Sequence, residues 1–512
     1  MNLIQFIQSL FRWRARSNFP PAMNHAQVQL PEFDPMTVIR DLGGGDVFRI
    51  CDALTGVICL GATGSGKTSA VARWLALGYL NAGMGGIVLC AKSDEAAQFQ
   101  RWATEAGRED DLVIIDAIGT WRFNFMECEA SRPDEGGGLA VNLVRILDEI
   151  GIAISGNIET GGGSSKFWEQ SLHTVNTRLV NLVLLAGLQV SLPLLRSIVN
   201  TAAHTPEQVH DPEWRKDSIC AQIIAEADRA TEEADPEIRA DYDECFNFWM
   251  RDWPQISEKT RSIIELMLTS LIEPLVTRPL RKIFSSETNI KPEDTFDGKI
   301  IVVNLSVAQY RVVGQITNLI FKFCFQLAVL RRVPPADRKS FLRPVFLWSD
   351  EFQEFATRSD SEFQSVARSA GGCSVYLTQN RASLKRVLKS DDVVDSLLGN
   401  LQAKFMTQNS GETNEWAARL LGERWVPVTT SNASQSENNN IPMMTPQNAG
   451  HNAGVSIAEQ RRFYVEPATF ATLKHGGPRY GNQVDCILYL GGHQFFDGRE
   501  WLPYKFLTFT QS

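Results

Sequence analysis

The 512-residue chain has no C-x-x-C pair, no window of 18 uninterrupted apolar residues and no excess of positive charge. Its nine cysteines (Cys51, Cys59, Cys90, Cys128, Cys220, Cys245, Cys324, Cys373 and Cys486) are scattered, and its seven histidines stand at no zinc spacing from them. That argues against a disulfide scaffold or a metal cluster and for a reduced, cytosolic chain. The longest apolar stretch considered, 179–199, contains Asn181, Gln189, Ser191, Pro193 and Arg196, which suits a buried helix rather than a membrane span. The net charge of −9 speaks against an all-over affinity for nucleic acid, which rests on neutralising phosphates with Lys and Arg, but leaves room for a locally basic channel. With 44% hydrophobic and 21% charged residues, the composition is that of an ordinary globular chain, long enough for roughly two to four domains.

The N-terminus lacks the early positive charges of a signal peptide. Leu3, Ile4, Phe6, Ile7, Leu10 and Phe11 fall at helical spacing ahead of Arg12, Trp13, Arg14 and Arg16. The pattern fits a short amphipathic helix, either at a membrane surface or partner, or packed on its own domain.

What the chain does have is the run Gly61, Ala62, Thr63, Gly64, Ser65, Gly66, Lys67, Thr68, with Ser69 opening a helical pattern to Leu80 and the apolar Val57-Ile58-Cys59-Leu60 before it. This is a P-loop in its strand–loop–helix context. Glycines let the backbone turn tightly enough to aim N–H groups at phosphate oxygens, Lys67 reaches the β and γ phosphates, and the Thr68 hydroxyl ligates Mg²⁺. ATP and Mg²⁺ are the expected cofactors. A second apolar run, Pro344 to Ser349, ends in Asp350-Glu351, as a Walker B element does. There Asp350 would hold the metal and Glu351 would polarise the attacking water. A third, Ser374 to Leu377, ends in Thr378-Gln379-Asn380, whose amide would lie beside Asp350 if the strands are neighbours. Arg368, just before Gly371-Gly372, reads equally as an arginine finger facing another subunit or as a surface salt-bridge residue.

Alternating strand and helix patterns predict an α/β fold with a mostly parallel sheet. The expected strands are Phe48 to Cys51, Val57 to Leu60, Gly86 to Cys90, Leu112 to Ile115, Lys299 to Leu305, Pro344 to Trp348, Ser374 to Leu377 and Ala403 to Met406. Helical patterns run over Asp94 to Glu105, Thr317 to Arg332, Glu354 to Ser369 and Glu412 to Gly422, and fill 130–290. The expected organisation is a basic, amphipathic tail (1–35), a nucleotide-binding domain (36–129 and 291–425) interrupted by an all-α insertion (130–290), a disordered or subunit-spanning loop (426–460) and a β-rich return (461–512). Long helices are read over Ala221 to Arg251 and Lys259 to Phe284, and the clusters Gly136 to Gly138 and Gly161 to Gly163 as mobile connections.

The order of these motifs resembles the type IV secretion coupling proteins, the TraG/TraD-like conjugative DNA-transfer ATPases of the FtsK and HerA superfamily. The resemblance rests on the P-loop at Gly61 to Thr68, the insertion with Phe167-Trp168 and Lys259 to Ile263, Asp350-Glu351-Phe352, and Ala367 to Gly371 leading into Leu377-Thr378-Gln379. It implies a RecA-like domain forming a hexamer around a DNA channel, with an all-α domain recognising protein cargo such as a relaxase. It also implies contact with secretion-channel proteins, Arg368 as the finger in trans and Gln379 as the polar sensor. Members usually carry N-terminal transmembrane helices, whereas here only Leu3 to Phe11 stands in that place, so a cytoplasmic location, or a peripheral one at the inner membrane through residues 3–16, is expected. Ala91-Lys92-Ser93-Asp94-Glu95 departs from the family's Asp-Pro-Lys-Gly-Glu-like segment and leaves the role of Lys92 open.

Three readings follow: an ATP-driven ring motor moving DNA, a nucleotide-gated adaptor recruiting a basic protein through the acidic stretch Glu226 to Glu244, and an ATPase of mobile-element maintenance or defence. Candidate pore contacts for the first are Arg261, Arg278, Arg281, Lys282, Arg331 and Arg332, residue types that equally form solvated helix faces.

Overall fold

Short apolar runs closed by glycine or polar turns become strands buried on both faces, as a parallel sheet covered by helices requires. The computed structural model describes residues 32–132, 139–155, 164–337, 340–435 and 451–511. The amphipathic stretch 3–16 and both glycine clusters lie outside them. Val38–Gly43 (β1) and Asp46–Arg49 (β2) form an antiparallel hairpin. Then come Val57–Leu60 (β3), Gly85–Leu89 (β4), Leu112–Ile115 (β5), Ile300–Val303 (β6), Val345–Ser349 (β7), Gly372–Thr378 (β8) and Ala403–Met406 (β9). The chain ends with Glu423–Gln435 (β10), His451–Phe463 (β11), Gln483–Leu490 (β12), Phe495–Phe496 (β13), Trp501–Leu502 (β14) and Lys505–Thr510 (β15). Nine strands make the main sheet in the order β15-β12-β9-β3-β8-β7-β4-β6-β5. From β9 to β5 all neighbours are parallel, while β12 runs antiparallel to both β9 and β15.

Side-chain alternation splits the core in two. Val57, Cys59, Val88, Val302 and Val375 face the helices Arg73–Asn81 and Glu95–Glu105. Ile58, Leu60, Ile87, Leu89 and Ile301 face the other way, toward the helix Val312–Leu330. This second core runs on without a break through Phe123, Phe125, Phe284 and Phe321 into the helices between 140 and 284. The helical insertion therefore shares a hydrophobic core with one face of the sheet. Among the described residues, no strand occurs between Ile115 and Ile300.

Several elements depart from the sequence reading for local reasons. The strand expected to reach Cys51 stops at Arg49, whose N–H donates to the Asp52 side chain (2.8 Å) and opens the helix Ile50–Leu54. The helix expected over 221–251 breaks into Ile219–Thr231 and Pro236–Asn247, because Asp235 caps a new start with Pro236 in the first turn. The helix Glu258–Val276 likewise stops short of Pro279, which cannot donate and restricts the residue before it. Residues 426–435 and 451–460, read as irregular, belong to β10 and β11, which pair in unbroken register from Glu423↔Phe463 to Gln435↔His451. The rest of that segment, 436–450, lies outside the described residues. Among the described residues, one helix, Val312–Leu330, is long and apolar enough to cross a membrane. It is a buried core helix here, and Asn318, Lys322 and Gln326 interrupt its apolar run.

Lys322 has no exposed side-chain surface. Its ammonium donates to Asp360 Oδ2 (2.8 Å), the Phe355 carbonyl (2.7 Å) and Thr357 Oγ1 (2.9 Å), while Gln326 Nε2 donates to Asp360 Oδ1 (2.8 Å). Breaking a buried pair from one side strands a charge, at a cost of about 3 to 5 kcal/mol. Lys322→Met should therefore lower the denaturant midpoint sharply, and Lys322→Met with Asp360→Leu should recover only part of it, because the Gln326 amide and the Thr357 N–H then lose their acceptor. Lys404, on β9, is buried as well; it donates to the Leu401 carbonyl, lies 5.4 Å from the Tyr489 ring centroid, and burial pulls its pKa down to about 8. Its folded value lies below its unfolded one. The charged form therefore destabilises the fold below pH 8, and stability rises between pH 8 and the ordinary lysine range as the folded chain sheds the proton first. Lys404→Met should melt above the wild type at pH 7, with the gap narrowing by pH 10 in thermal scans.

Candidate functional site

Parallel strands in register end together. Leu60 pairs with Thr378, Tyr376 with Ser349, and Ser349 with Leu89, so the residues after β3, β8, β7 and β4 all emerge at one edge of the sheet. There the Gly61 N–H donates to the Thr378 carbonyl (3.3 Å), the Ala62 N–H to that of Gln408 (2.9 Å), and Ser65 Oγ meets Thr407 Oγ1 (2.9 Å). A Cβ on Gly61 would stand 2.0 Å from Thr407 Oγ1, so glycine is required there by space. Gly64 and Gly66 are left-handed (φ +76° and +79°), which turns the loop back on itself. Among the described residues, the N–H groups of Thr63, Gly64 and Gly66 have no acceptor within the chain. The chain then enters a widened turn, Lys67–Ala72, before the helix Arg73–Asn81. The C-terminal strands buttress this turn: Gln511 Nε2 donates to Ser69 Oγ and Gln511 Oε1 accepts from the Gly477 N–H (both 2.8 Å).

The two sequence motifs meet directly. Thr68 Oγ1 donates to Asp350 Oδ2 at 2.8 Å, and Lys67 Nζ lies 3.6 Å from Glu351 Oε1. Asp350 Oδ1 accepts from the Glu351 N–H (2.9 Å). Glu351 itself has a left-handed backbone (φ +49°, ψ +48°), uncommon for a residue with a Cβ and worth about 1 to 3 kcal/mol of strain. Its side chain is correspondingly well held: Oε2 accepts from Gln353 Nε2 (2.7 Å) and Gln379 Nε2 (3.3 Å), and Thr378 Oγ1 donates to Gln353 Oε1 (2.7 Å). Burial alone would raise its pKa, but the ammoniums of Lys67 and Lys92 and the Gln353 amide bring it down to about 2, so Glu351 is a carboxylate at any ordinary pH.

Lys92 and Glu95 belong to this site and were not assigned to it from sequence. Lys92 follows β4, and its Nζ lies 2.7 Å from Glu351 Oε1, 3.5 Å from Asp350 Oδ2 and 3.9 Å from Glu95 Oε1. Burial would lower its pKa, but the carboxylates of Asp350 and Glu351 raise it. Glu95 is buried, accepts from the Ala91 N–H (2.7 Å), and is pushed well above the usual carboxylate range by burial and by Asp350. The signal available was positional, since Lys92 leaves the sheet at the same edge as the P-loop.

Arg368 is not brought to this edge. It is exposed in the turn Arg368–Ala370, ahead of β8, whereas Gln379 follows β8; a strand of that length separates them by about 20 Å. Most basic residues considered as pore contacts have structural partners. Arg261 is buried and donates to the carbonyls of His204 (2.7 Å) and Ile256 (3.3 Å). Arg331 grips Glu129 with two bonds (2.8 and 2.7 Å). Arg332 donates to the carbonyls of Ala370 (3.0 Å) and Arg343 (2.8 Å), and Lys282 to that of Ile118 (2.5 Å). Arg278 and Arg281 are exposed.

The donor set suits a polyphosphate with a hard divalent cation. Open N–H groups and two lysines gather at one edge of the sheet, next to a hydroxyl and a carboxylate of the kind such cations take. Among the described residues no three His, Cys, Asp or Glu side chains form a self-sufficient metal cage, so a cation here would draw its remaining ligands from phosphate and water. Gly66→Ala would place a Cβ 2.3 Å from Val484 Cγ2 on a left-handed backbone and should cost a few kcal/mol, read as a lowered melting temperature that Val484→Ala partly restores. At Gly64 a Cβ meets nothing within 4 Å, so Gly64→Ala should incur only the backbone strain and melt above Gly66→Ala.

Residues 344–474 match the family described as the TraM recognition site of TraD and TraG. No curated protein sequence matches the chain. Among solved structures, it is similar to the bacterial conjugative coupling protein TrwBdeltaN70 in its unbound form, with a TM-score of 0.57 at 14% identity over 93% of this chain and 88% of that one. It is similar also to TrwB in complex with the ATP analogue ADPNP (0.56, 13% identity, 93% and 89%) and with ADP and Mg²⁺ (0.56, 12% identity, 93% and 88%). The sheet, the phosphate-type loop at its edge and the helical insertion thus share the fold of these conjugative coupling-protein structures, and residues 344–474 match the TraD and TraG family.

Proposed function

We propose that the chain is a ring-forming ATPase that couples ATP hydrolysis to the transfer of DNA, or of relaxase-bound DNA, in conjugative transfer. The observation that carries the reading is the 2.8 Å contact between Thr68 and Asp350, which joins motifs 282 residues apart in the chain at one sheet edge. In this reading the N–H groups of Thr63, Gly64 and Gly66 and the Lys67 ammonium would hold the phosphates, and Thr68 and Asp350 would hold Mg²⁺. The cation's chemistry is to neutralise charge developing on the phosphoryl oxygens. Glu351, fixed as a carboxylate, orients and polarises the attacking water; Gln379 holds Glu351 and registers the terminal phosphate. Arg368, distant from its own chain's site, serves the neighbouring copy. Residues 36–129 and 291–425 form the motor unit, 130–290 the cargo-facing unit, and 344–474 include a surface for an accessory protein of the TraM kind. Support comes from the nucleotide complexes of TrwB, which has the same fold.

A second reading, an adaptor that recruits a basic protein and uses nucleotide only to switch assembly, is favoured by one observation. Asp228, Glu232, Glu233, Asp235, Glu237, Asp241, Asp243 and Glu244 are exposed along the helices Ile219–Thr231 and Pro236–Asn247 and the turn joining them, a surface that repels DNA. Steady-state ATPase assays without DNA, with single strands and with duplex, at low and physiological salt, separate the two. A motor should be stimulated several-fold by one DNA form, less so as salt rises; Glu351→Gln should be inactive, and Arg368→Ala should lose about 10³-fold or more in rate while still binding nucleotide. A response indifferent to DNA but dependent on Glu351 favours the adaptor.

A further inference from the structure

The mechanism above leaves Lys92 without a task, although its ammonium is among the closest groups to the reacting edge. Lys67 is 6% exposed at its side chain and Lys92 is 44% exposed, yet both point at the same oxygen, Glu351 Oε1. Of the three carboxyl contacts of Lys92, only the one to Glu351 has full hydrogen-bond length; those to Asp350 (3.5 Å) and Glu95 (3.9 Å) are longer. An ammonium carries three donors, so capacity remains for another acceptor. Beneath it, Glu95 Oε1 is buried without a hydrogen-bond partner, the other oxygen being taken by the Ala91 N–H.

Position decides which phosphate Lys92 can reach. The open N–H groups of the loop lie at the end of β3, where the inner phosphates of a nucleotide would rest. Lys92 lies at the end of β4, on the far side of the Asp350–Glu351 pair from that loop. A nucleoside diphosphate held by the loop ends before that side, whereas the terminal group of a triphosphate brings negative charge against two carboxylates already present. A second ammonium there offsets the repulsion.

We infer that Lys92 is a specificity-determining residue that reads the terminal phosphate, favouring nucleoside triphosphate over diphosphate. The inference rests on the nucleotide reading of the site. Its test is calorimetric titration of the full chain, with Mg²⁺ present, using ADPNP and ADP, on the wild type, Lys92→Met and Lys92→Arg, with folding checked by thermal melting. Lys92→Met should weaken ADPNP about tenfold, equal to about 1.4 kcal/mol, and leave ADP within about twofold. Lys92→Arg, which keeps the charge and its donors, should restore most of the preference. Equal losses for the two nucleotides, or none, with a wild type that binds both, would overturn the inference and leave the nucleotide reading standing. A wild type that binds neither would overturn both.

Discussion

The buried pair Lys322–Asp360 is the constraint on which the arrangement of the site depends. An ammonium with no exposed surface is tolerable only when every donor is answered, and here the carboxylate that answers it is answered in turn. Asp360 Oδ2 also accepts from the Thr357 N–H (2.8 Å) and Thr357 Oγ1 (3.1 Å), and Oδ1 from Gln326 and the Tyr376 hydroxyl (3.4 Å). The network ties the core helix Val312–Leu330 to the segment that leaves β7 and to the start of the helix Ser359–Ala367. Between Glu351 and Ser359 the chain has little regular structure beyond the turn Phe352–Glu354. Held at one end by Asp360, at the other by the ligands of Glu351, and in between by Phe352 stacked on Tyr376 (3.7 Å between centroids), it has no slack, which is how a left-handed glutamate persists.

Electrostatics at the sheet edge is arranged in opposition. Two lysines and a row of open N–H groups would hold a polyanion too firmly for turnover if nothing opposed them, and two ionised carboxylates would expel it. Interleaving the two sets, with Glu351 Oε1 between Lys67 and Lys92, leaves each charge partly compensated and each side chain oriented. The amides of Gln353 and Gln379 add direction without charge.

Much of this was readable in the sequence. Strands β5 and β9 fall at their expected bounds, because four apolar residues between polar turns admit few other solutions. The P-loop, Asp350 and Glu351 come together as two strand-end motifs of one sheet should, and Gln379 reaches Glu351 because β8 pairs with β7. What was hidden depends on partners distant in the chain. The ribbon β10–β11 has Ser, Thr, Asn and Gln where a buried strand would have Val and Ile; its order comes from pairing with itself, which leaves no apolar periodicity to read. Arg261 and Arg331 look like solvated cations until the carbonyls and the carboxylate that take them are in view. Lys92 looks like a loop residue because Asp350 and Glu351, the carboxylates its ammonium approaches most closely, lie more than 250 residues away in the chain.

The placement of Arg368 at the end of β8 opposite the phosphate-type loop has a consequence for assembly. For Arg368 of one copy to reach the loop of another, the second copy must be either offset along the strands by about 20 Å or turned over by a two-fold axis. The two-fold completes two sites and stops, whereas the offset contact is heterologous and repeats head to tail until it closes or runs on as a filament. A ring of the kind proposed requires the offset contact, and in it the polarity of the parallel sheet would become the polarity of the assembly: every copy would face the same way round, and the hole they enclosed would have an entrance distinct from its exit.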